Sequence, residues 1–135
     1  MSNARGQALI ELALCMPFVL LLGLGTAAVV EIADASSGLR AATEAAVAAA
    51  ARAPDPATAE TAGQSRFAAV VAAYPVKSPA LRFMTAGFTR GSTLTATSTG
   101  TVDLRWESMA VVPADVAIAA QATMRIEPWR SRQPG

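Results

Sequence analysis

A single carboxylate stands near the start of a long apolar stretch in this chain of 135 residues. From Ala8 to Val30, Glu11 is the one charged residue. A carboxylate within a membrane helix costs about 2.5–3.5 kcal/mol at the bilayer centre and less near an interface. Such a group is expected either to pair with a cation or to reach the water at the membrane surface.

The groups that most enzymes and metal sites use are scarce in this sequence. It has no histidine, and its only cysteine is Cys15, which excludes a disulfide within the chain and a His/Cys metal site. No glycine-rich phosphate loop follows a predicted strand. The carboxylates beyond residue 50 are scattered: Asp55, Glu60, Asp103, Glu107, Asp115 and Glu127. We therefore expect a protein that is not an enzyme and that takes no cofactor or metal.

Composition points to a small core with few aromatic residues. Hydrophobic residues make up 53% of the chain, but much of this is alanine and aromatic residues are only 5%. This favours thin, close packing over a deep ligand cavity. The net charge is +1, and the cations stand singly, so we expect no nucleic-acid partner.

The apolar stretch is long enough to cross a bilayer as a helix, which takes about 20 residues. We predict a transmembrane helix over residues 7–30. Two alternatives remain: a cleaved secretory signal, because small residues at 25–28 offer a cleavage site, and a lipoprotein acceptor at Cys15. The anchor is favoured because the stretch has full spanning length and the helical pattern continues past Val30.

Flanking charges predict the orientation of this span. Arg5 precedes the apolar stretch, whereas Glu31 and Asp34 follow it. Because positively charged flanks stay in the cytoplasm, the N-terminus is expected there and residues 31–135 on the other side.

The helical pattern extends from residue 7 to about residue 53. Pro17 is expected to bend the helix, with Gly23 and Gly25 as a second soft point. Residues 31–53 extend the helix beyond the membrane, with one face suited to packing. That face comprises Ile32, Ala35, Leu39, Ala42, Ala46, Ala49 and Ala50.

Residues 54–135 are predicted to form a small α+β head. Pro54 and Pro56 end the long helix, and a second short helix is expected over residues 57–73. Its buried stripe would comprise Phe67, Val70, Val71 and Tyr74.

Four segments with alternating or Thr-rich patterns then predict three or four antiparallel strands. They are 81–86, 92–98, 101–107 and 116–126, with turns at Gly91 and Gly100. In the third segment Val102, Leu104 and Trp106 share one face. In the last, one face would comprise Val116, Ile118, Ala120, Ala122, Met124 and Ile126.

The sequence Arg5-Gly-Gln-Ala-Leu-Ile-Glu-Leu-Ala-Leu14, followed by Pro17 and a leucine run, resembles the N-terminus of TadE/TadG-type pseudopilins. These belong to tight-adherence (Flp-type) pilus systems. In that family a prepilin peptidase cuts after a glycine on the cytoplasmic face, and glutamate is the fifth residue of the mature chain. The resemblance implies a leader ending at Gly6, Gln7 as the new N-terminus and Glu11 as its fifth residue. Pro17 also falls where the family has a proline, whereas Leu12 stands where the family often has phenylalanine.

The resemblance further implies a minor pseudopilin with a pilin-like head, held in the inner membrane with the head in the periplasm. Its partners would be a prepilin peptidase, other pilins or pseudopilins, an inner-membrane assembly platform and membrane lipid. Cutting after Gly6 would create an amine on Gln7, which an adjacent subunit could present to Glu11. The alternative function is a membrane-anchored or secreted binding module whose head recognises a ligand around Trp106 or Trp129.

Overall fold

The computed structural model describes residues 2–85, 87–89, 91–104 and 115–126. Within them the chain forms two helices and three strands in the order α1, α2, β1, β2, β3. The bounds are α1 Ser2–Ala50, α2 Pro56–Val71, β1 Lys77–Thr85, β2 Thr93–Asp103 and β3 Asp115–Arg125. The predicted α+β class is therefore confirmed: a long N-terminal helix, a short second helix and a small antiparallel sheet.

Helix α1 has 49 residues, which corresponds to about 70 Å at 1.5 Å per residue. It is assigned as helix without interruption through Pro17, Gly23 and Gly25. The bend expected at Pro17 stays a prediction. At the other end α1 stops at Ala50, and a turn follows in which the Ala53 N–H donates to the Ala50 carbonyl at 3.1 Å.

The distal part of α1 packs against the rest of the head. Ala35, Leu39, Ala42 and Ala46 are 0% exposed, and Ala50 is 1% exposed. Ile32 and Ala49 are half-buried. The predicted packing face is thus confirmed, and its small side chains let α2 and the sheet approach the helix backbone closely.

Helix α2 is fixed at its start by a side-chain cap. Asp55 is the N-cap residue, in extended backbone, and its carboxylate accepts a 2.9 Å bond from the Thr58 N–H. Pro56 follows at the first helical position, where its missing N–H costs nothing. Phe67 and Val71 are buried on α2, which confirms the predicted stripe; its other members, Val70 and Tyr74, are half-buried.

The sheet has the order β1-β2-β3, and both neighbouring pairs are antiparallel. Central β2 alternates between a buried face towards the helices and a face towards solvent. Its buried positions are Leu94, Ala96, Ser98, Gly100 and Val102. In β3 the predicted inward face holds except at Met124, which is 40% exposed near the end of the sheet.

The turn predicted at Gly100 is wrong. Gly100 lies within β2 and pairs with Ile118 of β3, so the predicted segments 92–98 and 101–107 belong to one strand as far as Asp103. A Cβ atom at Gly100 would lie 2.4 Å from Cγ1 of Val76. The glycine therefore allows close packing rather than chain reversal. Residues 105–107, with Trp106, lie outside the described part of the chain.

The first strand also differs from its prediction. β1 begins at Lys77 rather than at residue 81 and includes Pro79. Its pairing with β2 shifts between Lys77 and Ala80, and Ser78 has a φ of 48°. Proline is tolerated there because it lies at an irregularity of an edge strand. The turn predicted at Gly91 is confirmed: its φ is 82°, and the neighbouring Ser92 N–H donates to the Thr89 carbonyl at 3.0 Å.

Candidate membrane segment and processing site

The predicted processing residues lie together on the first turns of α1. Gly6, Gln7 and Glu11 are all exposed. The Gln7 amide nitrogen lies 3.4 Å from Glu11 Oε1, one helical turn away. Among the described side chains, an amide rather than a cation thus approaches the Glu11 carboxylate.

The helix that follows exposes nearly all of its large apolar side chains. Leu9 is 67% exposed, Phe18 70% and Leu22 74%. The other exposed ones in this part of α1 are Ile10, Leu12, Leu14, Met16, Val19, Leu20, Leu21, Val29 and Val30. A continuous apolar surface of this size is unusual on a protein surrounded by water. By length and composition α1 can cross a membrane, as a single span or as a signal anchor.

Cys15 and Pro17 lie within this exposed apolar part of α1. The Cys15 thiol is not in a disulfide and is exposed. Thr26 satisfies its hydroxyl within the helix by donating to the Leu22 carbonyl at 2.8 Å. A hydroxyl bonded in this way can face hydrocarbon without leaving an unpaired donor.

Burial begins where the apolar part of α1 ends. From residue 6 onwards, Ala28 is the first buried residue along α1, at 8% exposed. Glu31 and Asp34 follow within two turns, so charge and packing both appear over the same short length of helix. This change marks the boundary between a part that lacks protein neighbours and a part enclosed by the head.

Two shallow grooves lie among the described residues of the head. One, of about 370 Å³, lies beside α2 and the start of β1 and is lined by Phe67, Val71, Tyr74 and Val76 among others. The other, of about 340 Å³, lies between α1 and β3 and is lined by Ser36, Ser37, Arg40, Ala41, Glu44, Ala119 and Ala120. Neither brings together the groups of a catalytic site. Across the described residues, no cluster of three or more His, Cys, Asp or Glu side chains is placed to hold a metal ion.

A buried polar contact joins α1 to the sheet, and the sequence had not singled it out. Thr43 Oγ1 donates to the Leu39 carbonyl at 2.6 Å and lies 2.5 Å from Ser98 Oγ. Ser98 is in turn 3.5 Å from the Ala120 carbonyl. Thr43 is 0% exposed and Ser98 is 1% exposed. A threonine on the alanine-rich face and a serine among inward-facing strand residues were the available signals.

Two further glycines are packing positions that the sequence did not reveal. A Cβ at Gly38 would lie 2.1 Å from Cγ of Tyr74, and one at Gly63 would lie 2.3 Å from Cζ of Phe83. Each glycine therefore receives an aromatic ring against a helix backbone. These contacts hold the head together and lie on α1 and α2 beyond the apolar part of α1.

The candidate site is therefore the N-terminal part of α1, with Gly6, Gln7 and Glu11 at its beginning and Pro17 within it. Trp106 and Trp129, the residues of the alternative binding function, lie outside the described residues. No protein-family model matches this chain, and no curated protein or solved structure matches it either.

Proposed function

We propose that this chain is a TadE-like minor pseudopilin of a Flp/Tad-type pilus system. It would be a single-pass inner-membrane protein that a prepilin peptidase processes between Gly6 and Gln7. The observation that carries the proposal is the exposed apolar part of α1, with Glu11 as its one acid, directly after Arg5 and Gly6. The helix then continues into a small α+β head, as the resemblance implies.

Orientation follows from charge at the two ends of the span. Arg5 stays in the cytoplasm, and the head with Glu31 and Asp34 is periplasmic. The peptidase would reach the Gly6–Gln7 bond at the cytoplasmic face. This bond lies in the first turns of α1, so a few residues of helix must open before a peptidase can bind them in extended form.

Cleavage would create a cationic partner for Glu11. The new amine on Gln7 lies four residues before Glu11, about 6 Å along the helix axis. A neighbouring helix displaced by about that distance brings its own amine level with Glu11. An ion pair in a low-dielectric layer is favourable only when well matched, so it would set the axial register between subunits packed through α1.

Partners of this protein would meet it at different parts of α1. The peptidase takes the leader, while lipid surrounds the apolar part before assembly. Other pilins or pseudopilins replace that lipid when subunits pack together, and an inner-membrane platform assists the transfer. In this scheme the protein contributes to the assembly or structure of an adhesive pilus.

Mass spectrometry of the N-terminus tests the processing step. In cells with the prepilin peptidase the mature chain is expected to begin at Gln7, whereas in cells without it the leader should remain. Gly6→Leu is a suitable control because a Cβ at Gly6 would have nothing within 4 Å, so the packed head is undisturbed and cleavage alone should fail. An intact leader on the wild-type chain in peptidase-positive cells would show that the assignment is wrong.

The role of Glu11 is tested separately from processing. We expect Glu11→Ala to be cleaved normally but to enter sheared pili poorly, with Leu12→Ala as the matched control on the same turn. Processed and assembled fractions are read from the same cells. Normal incorporation of Glu11→Ala would reject the pairing with the amine and leave the processing site unaffected.

A further inference from the structure

The two edges of the sheet are protected very differently. The edge of β1 carries Pro79, which has no N–H, and the left-handed Ser78, and its pairing with β2 is irregular at that end. Farther along, Gln64 of α2 donates to the Leu81 carbonyl at 3.2 Å. Prolines, irregular pairing and coverage by a helix are ways in which proteins prevent an edge strand from pairing with another chain.

Within the described residues, β3 has no proline and no irregular pairing, although α1 packs beside it. All its residues pair with β2 in one regular register, from Asp115 with Asp103 to Arg125 with Thr93. Between those two charged ends, residues 116–124 contain neither a charge nor a proline. The groove between α1 and β3 is lined by Ala119 and Ala120 of β3 and by polar residues of α1, including Arg40 and Glu44. There is therefore room there for side chains of an added strand.

The charged ends of β3 indicate what such a strand would carry. Asp115 lies opposite Asp103 in the register, and like charges in opposite positions are unfavourable. Lys77 forms an ion pair with Asp103, but the described residues place no cation against Asp115. At the other end Arg125 uses its Nε to donate to the Gly91 carbonyl at 3.2 Å and is otherwise exposed.

A second copy of this chain does not fit that edge within one membrane. α1 runs along the strands, as two contacts show. Thr43 contacts Ser98. Farther along α1, the Ala46 carbonyl lies near Gly63, against which the ring of Phe83 packs, and Phe83 pairs with Ala96, two residues before Ser98 in β2. Antiparallel pairing of two β3 edges about a twofold axis would point the two α1 helices in opposite directions. Parallel pairing of two β3 edges in register would place Asp115 beside Asp115 and Arg125 beside Arg125, and like charges in such positions are unfavourable. Pairing of β3 with the edge of β1 meets the protection described above.

We propose that β3 accepts an extended segment of a different polypeptide as a fourth strand. That segment has an uncharged centre of about the length of β3, a basic residue beside Asp115 and an acidic residue beside Arg125. Backbone hydrogen bonds along the edge supply the affinity, and the two end charges fix the register. This inference goes beyond the pilus assignment. It rests on one part of that assignment, that α1 spans a membrane, because this is what excludes antiparallel pairing with a second copy.

Two synthetic peptides serve as probes on the full chain in detergent micelles. Each has 11 residues, like β3, with alternating threonine and valine in the centre; one begins with Lys and ends with Glu, and the other is reversed. A strand parallel to β3 begins beside Asp115 and therefore needs Lys first. An antiparallel strand begins beside Arg125 and therefore needs Glu first. We expect one peptide to slow the exchange of alternate β3 amides by about tenfold or more, while the other does far less and β1 amides do not change. Equal protection by both peptides, or none by either, would overturn the proposal.

Two variants make the test specific to the edge. Ala119 of β3 and Ala80 of β1 both pair with Thr99 and are both exposed, so they occupy the same row at opposite edges. Ala119→Lys should abolish the protection, because a charge in the middle of an edge strand opposes pairing, and Ala80→Lys should keep it. Equal loss in both variants would contradict strand addition at β3.

The chain's own C-terminal residues, which follow β3, are a further occupant to exclude. A chain that ends at Ile126 should show the same β3 amide exchange as the full chain when no peptide is present. Faster exchange in the shortened chain would mean that residues 127–135 cover the edge, and the proposal would then be rejected. Leader processing is independent of all these measurements, so a failure here leaves the pilus assignment unchanged.

Discussion

The two parts of α1 use different residues for different surroundings. Before Ala28 the helix exposes large apolar side chains such as Leu9, Phe18 and Leu22, whereas after it Ala35, Ala42 and Ala46 are completely enclosed. Both parts are apolar, so hydrophobicity alone does not separate them. Size does: small side chains let a sheet and a second helix approach the backbone, and large ones without protein neighbours match hydrocarbon.

Leucine truncation should show the largest difference between these parts. Leu39 is 0% exposed and Leu20 is 59% exposed. Leu39→Ala should lower the unfolding free energy of the head by about 2–5 kcal/mol, because it leaves a cavity in the core. Leu20→Ala should leave it almost unchanged. Amide exchange of central β2 in the full chain reports this free energy; equal losses would mean that the apolar part also packs against the head.

Glycine substitution tests the same difference by adding an atom to the packed core instead of removing several. Gly38→Ala places a Cβ 2.1 Å from Cγ of Tyr74, at the base of the ring, so the whole ring or the backbone must shift. We expect a loss of about 1–3 kcal/mol from this overpacking. Gly25→Ala is the matched control, because a Cβ there has nothing within 4 Å. The same β2 exchange measurement applies, and an unaffected Gly38→Ala would show that Tyr74 can move.

The spacing of apolar residues and the positions of prolines predicted much of the fold. Three- and four-residue recurrence identified the buried face of α1, and Pro54 and Pro56 located the break before α2. Both signals succeed because they are local: periodicity and the restriction before proline act within a few residues.

The failures came where a distant contact decided the local structure. Glycine is typical of turns, so Gly100 was predicted to lie in one. In the structure Val76, from the segment before β1, packs against it, and no pattern near residue 100 predicts that contact. The packing roles of Gly38 and Gly63 were missed for the same reason, since each contacts an aromatic ring from a distant part of the chain. For the candidate site, the sequence predicted the processing residues, and the structure adds that Gly6, Gln7 and Glu11 lie exposed on one end of α1.

Threonine-to-valine variants compare the same threonine hydroxyl–carbonyl hydrogen bond in the two parts of α1. Thr26 and Thr43 each donate to the carbonyl four residues earlier, but only Thr43 also contacts Ser98. Thr43→Val should cost about 1–2 kcal/mol in head stability because Ser98 loses a buried partner, and Thr26→Val should cost much less. Adding Ser98→Ala to Thr43→Val should recover part of the loss. Additive effects in the double variant would argue that the two hydroxyls do not interact.

The smallest effect is expected from pH and should appear only in the head. The Thr58 hydroxyl, at 2.6 Å, and then the Thr58 N–H hold the pKa of Asp55 below its ordinary value. A lowered pKa in the folded state means that the carboxylate stabilises the head at pH values above the ordinary one, and that this contribution is lost as the pH falls through the lowered pKa. Asp55→Asn should keep a capping side chain while removing this dependence. The β2 exchange free energy, compared between pH 6 and acid, should therefore fall more in the wild type than in Asp55→Asn. An identical decrease in both would assign the acid sensitivity to other carboxylates of the head. The apolar part of α1, which lies far from this cap, should keep its helix content in micelles throughout.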